Sequence, residues 1–313
     1  MQITTNNPLD SERPKPWYSL IILVFMFLAG MFIGQFLGLL ISILNTDLNL
    51  NDVPELLSLP FTEDKKVSIL LLQGMGALGG FVIAGILYLV IVERIKLARI
   101  LNLKNINLWP VILSVIIVIS FMFVNTFFIE WNMNLHFPGF LGGFEDWARE
   151  KEEELRLVTE FLTEFDSFNQ FIVVFIVVAI IPAVGEELIF RGILQNKLHI
   201  YFKNIHVAII VTAILFSGFH LQFFGFVPRL FLGILFGYIY YWSGNLWYPI
   251  LGHFINNGFT LILIYLYQTG SIGIDIETQE AYPLNIILIF SVITIYMLFS
   301  FWKQFQLQKQ ADE

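Results

Sequence analysis

Three polar clusters interrupt otherwise apolar stretches of this chain. They are Gly185-Glu186-Glu187-Leu188-Ile189-Phe190-Arg191, Phe216-Ser217-Gly218-Phe219-His220 and His253-Phe254-Ile255-Asn256-Asn257. Carboxylates, imidazoles and amides move protons and stabilise developing oxyanions, so these residue types together suit acid–base chemistry on a carbonyl. Spacing separates their roles. Glu187 and Arg191 are four apart, share a helix face and can pair. Glu186 lies five before Arg191, about 140° away around the helix, so that Arg does not neutralise it as readily. One carboxylate is then structural, and the other is left to act as a general base. The plainer reading is two acids solvated at a helix end. Phe216 and His220 are also four apart, which lets the ring pack beside the imidazole; otherwise His220 is a lone His at a span end bonded to a carbonyl. His253 and Asn257 share a face as well. Side by side they can offer two hydrogen bonds to one oxygen, or they can form a polar clamp between helices.

The elements that must position these groups are membrane helices. Of 313 residues, 57% are apolar, 13% are charged and 33 are Phe, and mean hydropathy is +0.74. A soluble fold of this size lacks the interior to hide that surface, and a disordered chain would not carry it. Long unbroken apolar runs point to helices rather than alternating barrel strands. The fold class is therefore all-α, a polytopic bundle of about eight transmembrane helices. The spans run Trp17–Leu44, Val67–Val92, Trp109–Ile129, Phe171 to at least Val184, Val207–Phe219, Leu230–Trp242, Trp247–Tyr267 and Leu284–Trp302. The fifth and sixth are short. Trp17, Trp109, Trp242, Trp247 and Trp302 fall at span ends, where indole rings favour the interface. With the N-terminus inside, 11 of the 17 Lys and Arg lie in cytoplasmic segments, so both termini are expected in the cytoplasm. Ionisable groups inside such spans are costly and carry a functional expectation by default.

Two loops are more than linkers. Glu93 to Asn107 is basic with periodic Ile and Leu, as in a helix lying on the membrane face. Gly143 to Asp166 is acidic, with Trp147, Leu155, Val158, Leu162 and Phe165 at helical spacing. It reads as an amphipathic cap whose apolar face lies on the membrane or covers the core. The absence of Cys excludes disulfides, thiolate metal sites and a cysteine nucleophile. A net charge of −8 gives no basic face for nucleic acid.

In these three clusters the sequence resembles the CPBP intramembrane proteases, which include the type II CAAX prenyl endopeptidases and the bacterial Abi relatives. Their pattern is Glu-Glu-x-x-x-Arg, then Phe-x-x-x-His, then His-x-x-x-Asn or Asp, and all three are intact and in order over roughly Phe171 to Tyr267. The resemblance divides the chain into a cytoplasmic tail (1–16), N-terminal helices with the two amphipathic loops (17–170), a catalytic core (171–267), and a last helix with its tail (268–313). It implies an intramembrane endopeptidase in the inner membrane of a bacterium. The substrate would be a membrane-associated peptide or protein, of which a prenylated CAAX-type chain is one form. It further implies that Glu186 activates the attacking water, that His220 helps to hold it, and that His253 and Asn257 stabilise the oxyanion. Glu187, Arg191 and Phe216 support them. Glu186, His220 and His253 can also be written as three zinc ligands with an open position, so zinc and metal-free activation both stand.

No His-Glu-x-x-His helix, Gly-x-Ser-x-Gly turn or intramembrane aspartate pair (Asp275 lies in a polar loop) suggests another protease class. A transporter or channel is the alternative in a different class, and a catalytically silent scaffold or immunity protein is a third. One tension is internal. If the fifth span starts at the inner side, His220 lies about 20 Å along it, whereas Glu186 and His253 lie nearer that inner side. A tilted fifth helix or a re-entrant Gln222–Pro228 connection would reconcile them.

Overall fold

The computed structural model describes residues 16–45, 53, 56, 61–95, 106–273 and 280–312. Arg13, Lys15, Asp275 and most of the basic 93–107 segment lie outside the described residues. Nine helices and no strands occur among those described: α1 (Pro16–Asn45), α2 (Glu63–Val92), α3 (Leu108–Met133), α4 (Gly142–Thr163), α5 (Phe168–Phe202), α6 (Ile205–Phe219), α7 (Phe226–Ser243), α8 (Trp247–Gln268) and α9 (Leu284–Asp312). The chain is a multi-pass membrane helix bundle. Six of these helices (α1, α2, α3, α5, α8 and α9) are long and apolar enough to cross a bilayer. α6 has 15 residues and spans about 22 Å, short of a hydrocarbon core of about 30 Å. α7 has 18 residues but carries Arg229 and three Tyr. The two short spans expected from sequence are thus real helices, and a count of eight crossings is not established.

The outer helices face lipid. On α1, Phe25 and Phe32 are exposed, as are Val292 and Ile295 on α9, which is natural where the solvent is hydrocarbon. Inside, close helix contact depends on small residues. α1 and α2 meet at Gly30, Gly34 and Gly79, where a methyl on Gly79 would overlap the carbonyl oxygen of Gly30. A methyl on Gly185 would overlap Phe81, so α5 lies directly against α2 just before Glu186. α6 packs on α7 through Ala213 and Gly233. Close backbone approach of this kind is the main packing device where no hydrophobic effect drives helices together.

Three clusters of buried apolar side chains surround the three polar motifs. One joins α1, α2 and α5 with Phe216, Tyr240 and Ile250. A second joins α3, α7, α8 and α9 around Ile117, Phe236, Tyr248 and Phe301. A third joins α2, α4, α5 and α8 around Ile69, Leu162, Val174 and Leu261. α5 and α8 run through the middle, which is why the polar groups they carry are enclosed.

The acidic segment forms α4 and caps the bundle. Its Phe161 stacks on Phe61 at 5.2 Å, and Lys66 of α2 donates to the Glu164 carbonyl at 2.6 Å. Glu145 closes the entry to α4, taking the Phe137 N–H at 2.8 Å and the Arg149 guanidinium at 2.7 Å. These bonds hold its carboxyl well below the usual range, at about 2.

The α1–α2 contact gives a direct test. Gly79→Val must push α1 away and should cost about 1–3 kcal/mol, read as a lower thermal midpoint in detergent. Gly142→Ala, where a methyl meets nothing within 4 Å, should leave that midpoint unchanged.

Candidate active site

Glu187 accepts Arg191 as the spacing predicts, with Arg191 Nη1 to Glu187 Oε1 at 2.8 Å and both side chains fully buried. The guanidinium also donates from Nη2 to the Gly233 carbonyl at 3.1 Å and lies over the Phe216 ring at 4.6 Å. One feature was not visible from the motifs. The same Glu187 Oε1 lies 2.9 Å from His253 Nδ1. A carboxylate oxygen accepts, so Nδ1 carries the proton and Nε2 of a neutral His253 presents a lone pair. Phe236 stacks on that imidazole at 5.6 Å and 19°, fixing its plane.

Glu186 points elsewhere, as the five-residue offset requires. Its Oε2 is buried and accepts no hydrogen bond among the described residues; His253 Nε2 lies 4.0 Å away. Both groups face a cavity of about 350 Å³, also lined by His220, Phe216, Asn256, Asn257 and Arg229. Enzyme and ligand pockets start at about 300 Å³, so there is room for a peptide unit and a water. The four residues expected to act together therefore line one cavity, and the His253 side chain is buried.

The local chain path explains how His220 joins them. α6 is short and ends at Phe219, and Leu221 then takes φ +54° in the left-handed region. That reversal is uncommon for a branched residue and turns the chain back into α7 at once. His220 Nδ1 donates to the Phe216 carbonyl at 3.0 Å, which leaves Nε2 as an acceptor, and the Phe216 ring packs beside it at 5.3 Å.

Asn257 is more committed than the sequence suggests. Its Nδ2 donates to the Val178 carbonyl at 3.1 Å, and its Oδ1 accepts from Asn256 at 3.0 Å. The reason lies in α5. Pro182 has no N–H to give the carbonyl four residues back, which is Val178. The Asn257 amide takes the place of that missing donor, and Ile176–Ile180 is wound more widely just before it. A second wide stretch, Leu188–Gln195, follows Glu187, and such segments are frequent at functional sites. Asn257 thus clamps α8 to α5 and keeps one N–H for other use.

Asn256, Gln73 and Arg229 also line the cavity and were not singled out for it. Asn256 adjoins Asn257 in the same polar cluster, and Gln73 is a lone amide in the second apolar run. Arg229 directly precedes the sixth apolar run. The zinc alternative fits poorly: among the described residues no three His, Asp or Glu side chains gather closely enough to hold a metal ion. The chemistry below rests on the side chains alone.

Comparison with known proteins now bears on this geometry. The type II CAAX prenyl endopeptidase Rce1-like family matches residues 168–259, which contain all three motifs. Over this segment the chain is similar to that family. A curated relative, the uncharacterized protein YpbD of Bacillus subtilis (strain 168), is 29% identical over 84 residues, covering 26% of this chain. The chain spans 40% of the length of that relative. No solved structure matches.

Two outcomes follow. Glu187→Ala leaves Arg191 buried without its carboxylate and should cost on the order of 3–5 kcal/mol, whereas Glu186→Ala should shift the thermal midpoint far less. Asn257→Ala should cost about 1–3 kcal/mol by orphaning a carbonyl, and Pro182→Ala should recover part of that loss by returning an N–H to it. Additive costs in the double variant would refute the substitution of one donor by the other.

Proposed function

We propose that the chain is an intramembrane endopeptidase that hydrolyses a peptide bond in a membrane-associated substrate, with prenylated CAAX-type chains as its substrate class. The observation that carries this reading is the division of the two adjacent acids. Glu187 is paired with Arg191 and is not among the residues lining the cavity, while Glu186 lines it beside two imidazoles. A structural pair alone would need only one carboxylate. The family match over 168–259 supports the same reaction class.

Glu186 takes a proton from water as the water oxygen attacks the scissile carbonyl. His220, with Nδ1 donating to the Phe216 carbonyl, directs its Nε2 lone pair at the cavity and holds the second hydrogen of that water. His253 enters the step already protonated from solvent, so its Nε2–H donates, with Glu187 balancing the charge. It then serves the oxyanion with the remaining N–H of Asn257, and Glu186 returns its proton to the leaving amine. The largely apolar surroundings strengthen each of these interactions.

Mass spectrometry of peptides released from membranes tests the assignment. Glu186→Gln preserves size and hydrogen bonding but removes the base, so release of the substrate-derived peptide should fall by about 10²–10⁴-fold. A peptide pool identical to that of the wild type would remove the protease reading.

A further inference from the structure

The cavity is rich in acceptors. The Glu186 carboxylate and the Nε2 atoms of neutral His220 and His253 all present lone pairs, and one N–H of Asn257 is spent on Val178. Hydrolysis places negative charge on the carbonyl oxygen, which needs donors and is best served by a cation. His253 becomes positive only by taking a proton, and Glu187 already balances that charge. Arg191 is committed to Glu187 and to the Gly233 carbonyl, and it is not among the residues lining the cavity.

Arg229 is the one Lys or Arg in the cavity wall among the described residues. It stands in the first turn of α7 and is held from one side only. Its Nη2 donates to Gln222 Oε1, and Gln222 Nε2 donates to Glu152 of α4 at 3.2 Å. Glu152 also takes the Phe224 N–H at 3.2 Å, so α4 steadies the turn that carries the guanidinium. Nη1 is buried and makes no hydrogen bond among the described residues. The head packs against Gly225, where a Cβ would sit 2.8 Å from Cζ. A side chain at 225 would displace the guanidinium. A half-buried cation whose hydrogen bond goes to a neutral amide keeps donors for a further acceptor.

We propose that Arg229 is a catalytic residue, the cationic donor that stabilises the oxyanion of the tetrahedral intermediate through its guanidinium. This rests on the hydrolytic reading above. The water oxygen bonds to the carbonyl carbon, its proton passes to Glu186, and the carbonyl π pair moves onto the oxygen beside a guanidinium N–H. On collapse that pair re-forms the carbonyl, the C–N bond breaks, and the amine nitrogen takes the proton from Glu186. The products are a carboxylic acid and an amine, and Arg229 neither gains nor loses a proton.

The test uses the full chain in detergent and a fluorogenic copy of the peptide whose release depends on Glu186. Arg229→Gln should lower kcat by about 10²–10³-fold, the loss expected for one oxyanion donor, with KM changed much less. Arg229→Lys should recover part of kcat by restoring charge. Gly225→Ala keeps the Arg but displaces its head, and should lower kcat with the thermal midpoint unchanged; it also covers the case in which Arg229→Gln does not fold. Gln222→Ala loosens the brace without removing the charge and should cost less than Arg229→Gln. Arg229→Gln and Gly225→Ala that both cut at the wild-type rate would overturn the proposal while leaving the protease reading intact. An equal loss in Gln222→Ala and Arg229→Gln, with no rescue by Lys, would make Arg229 a brace only. Absence of any Glu186-dependent peptide would remove both readings.

Discussion

One carboxylate oxygen organises this bundle. Glu187 Oε1 receives Arg191 from its own helix and His253 from α8, and Arg191 continues to the Gly233 carbonyl of α7. Three helices are thereby tied at one depth by groups that cannot slide without leaving a buried charge unpaired. The stabilisation is not the point, since a buried pair returns little beyond its desolvation. Its effect is register: only one alignment of α5, α7 and α8 satisfies all three. It also frees Glu186. Two adjacent acids in an apolar interior would otherwise compete for Arg191 and His253, and committing one leaves the other to solvent and substrate.

A second constraint is the demand that backbone groups be satisfied where no water reaches them. Pro182 breaks that rule in α5, and Asn257 of α8 repairs it. Gln195 does similar work further along, donating to the Gly237 carbonyl at 3.1 Å, one turn on from the Arg191–Gly233 contact. Side chains from one helix thus serve the backbone of the next at several levels. Gly233 and Gly237 let α6 come close on the other side, against Ala213 and Ile209. The cavity persists within a tightly packed bundle because its walls are fixed by directional bonds rather than by bulk alone.

Much of this was legible in the residues. Apolar runs located the helices, and the offsets of four and five separated Glu187 from Glu186 because a helix makes that geometry local. The Phe216–His220 pair was legible for the same reason. What the sequence hid was relational. That Glu187 serves His253 depends on how α5 meets α8, which no spacing encodes. The apparent 20 Å misplacement of His220 came from ending the fourth helix close after Glu186; α5 runs on to Phe202, so Glu186 lies about 24 Å from that end, near the depth of His220 at the end of α6. Asn257 carried two readings, oxyanion donor and interhelical clamp. Pro182 shows that one of its two N–H groups is a clamp, a dependence between residues 75 positions apart.

The two arginines near the site show how partner choice sets function in an apolar medium. Arg191 lies against a carboxylate, so its field is cancelled within a few ångströms and what remains is geometry. Arg229 is bonded to the neutral Gln222, and the acid beyond it, Glu152, is reached only through that amide. Burial raises the Glu152 carboxyl above its ordinary range, with Arg229 acting against that rise. Interposing an amide keeps the cation in place without neutralising it at contact. Charge so held costs stability and is retained where a transient anion must form, because donors fixed in advance need no reorganisation when the charge appears. The acidic helix α4 then has a role beyond covering apolar surface: its Glu152 takes the Gln222 amide and the Phe224 N–H and so steadies the turn that leads to Arg229.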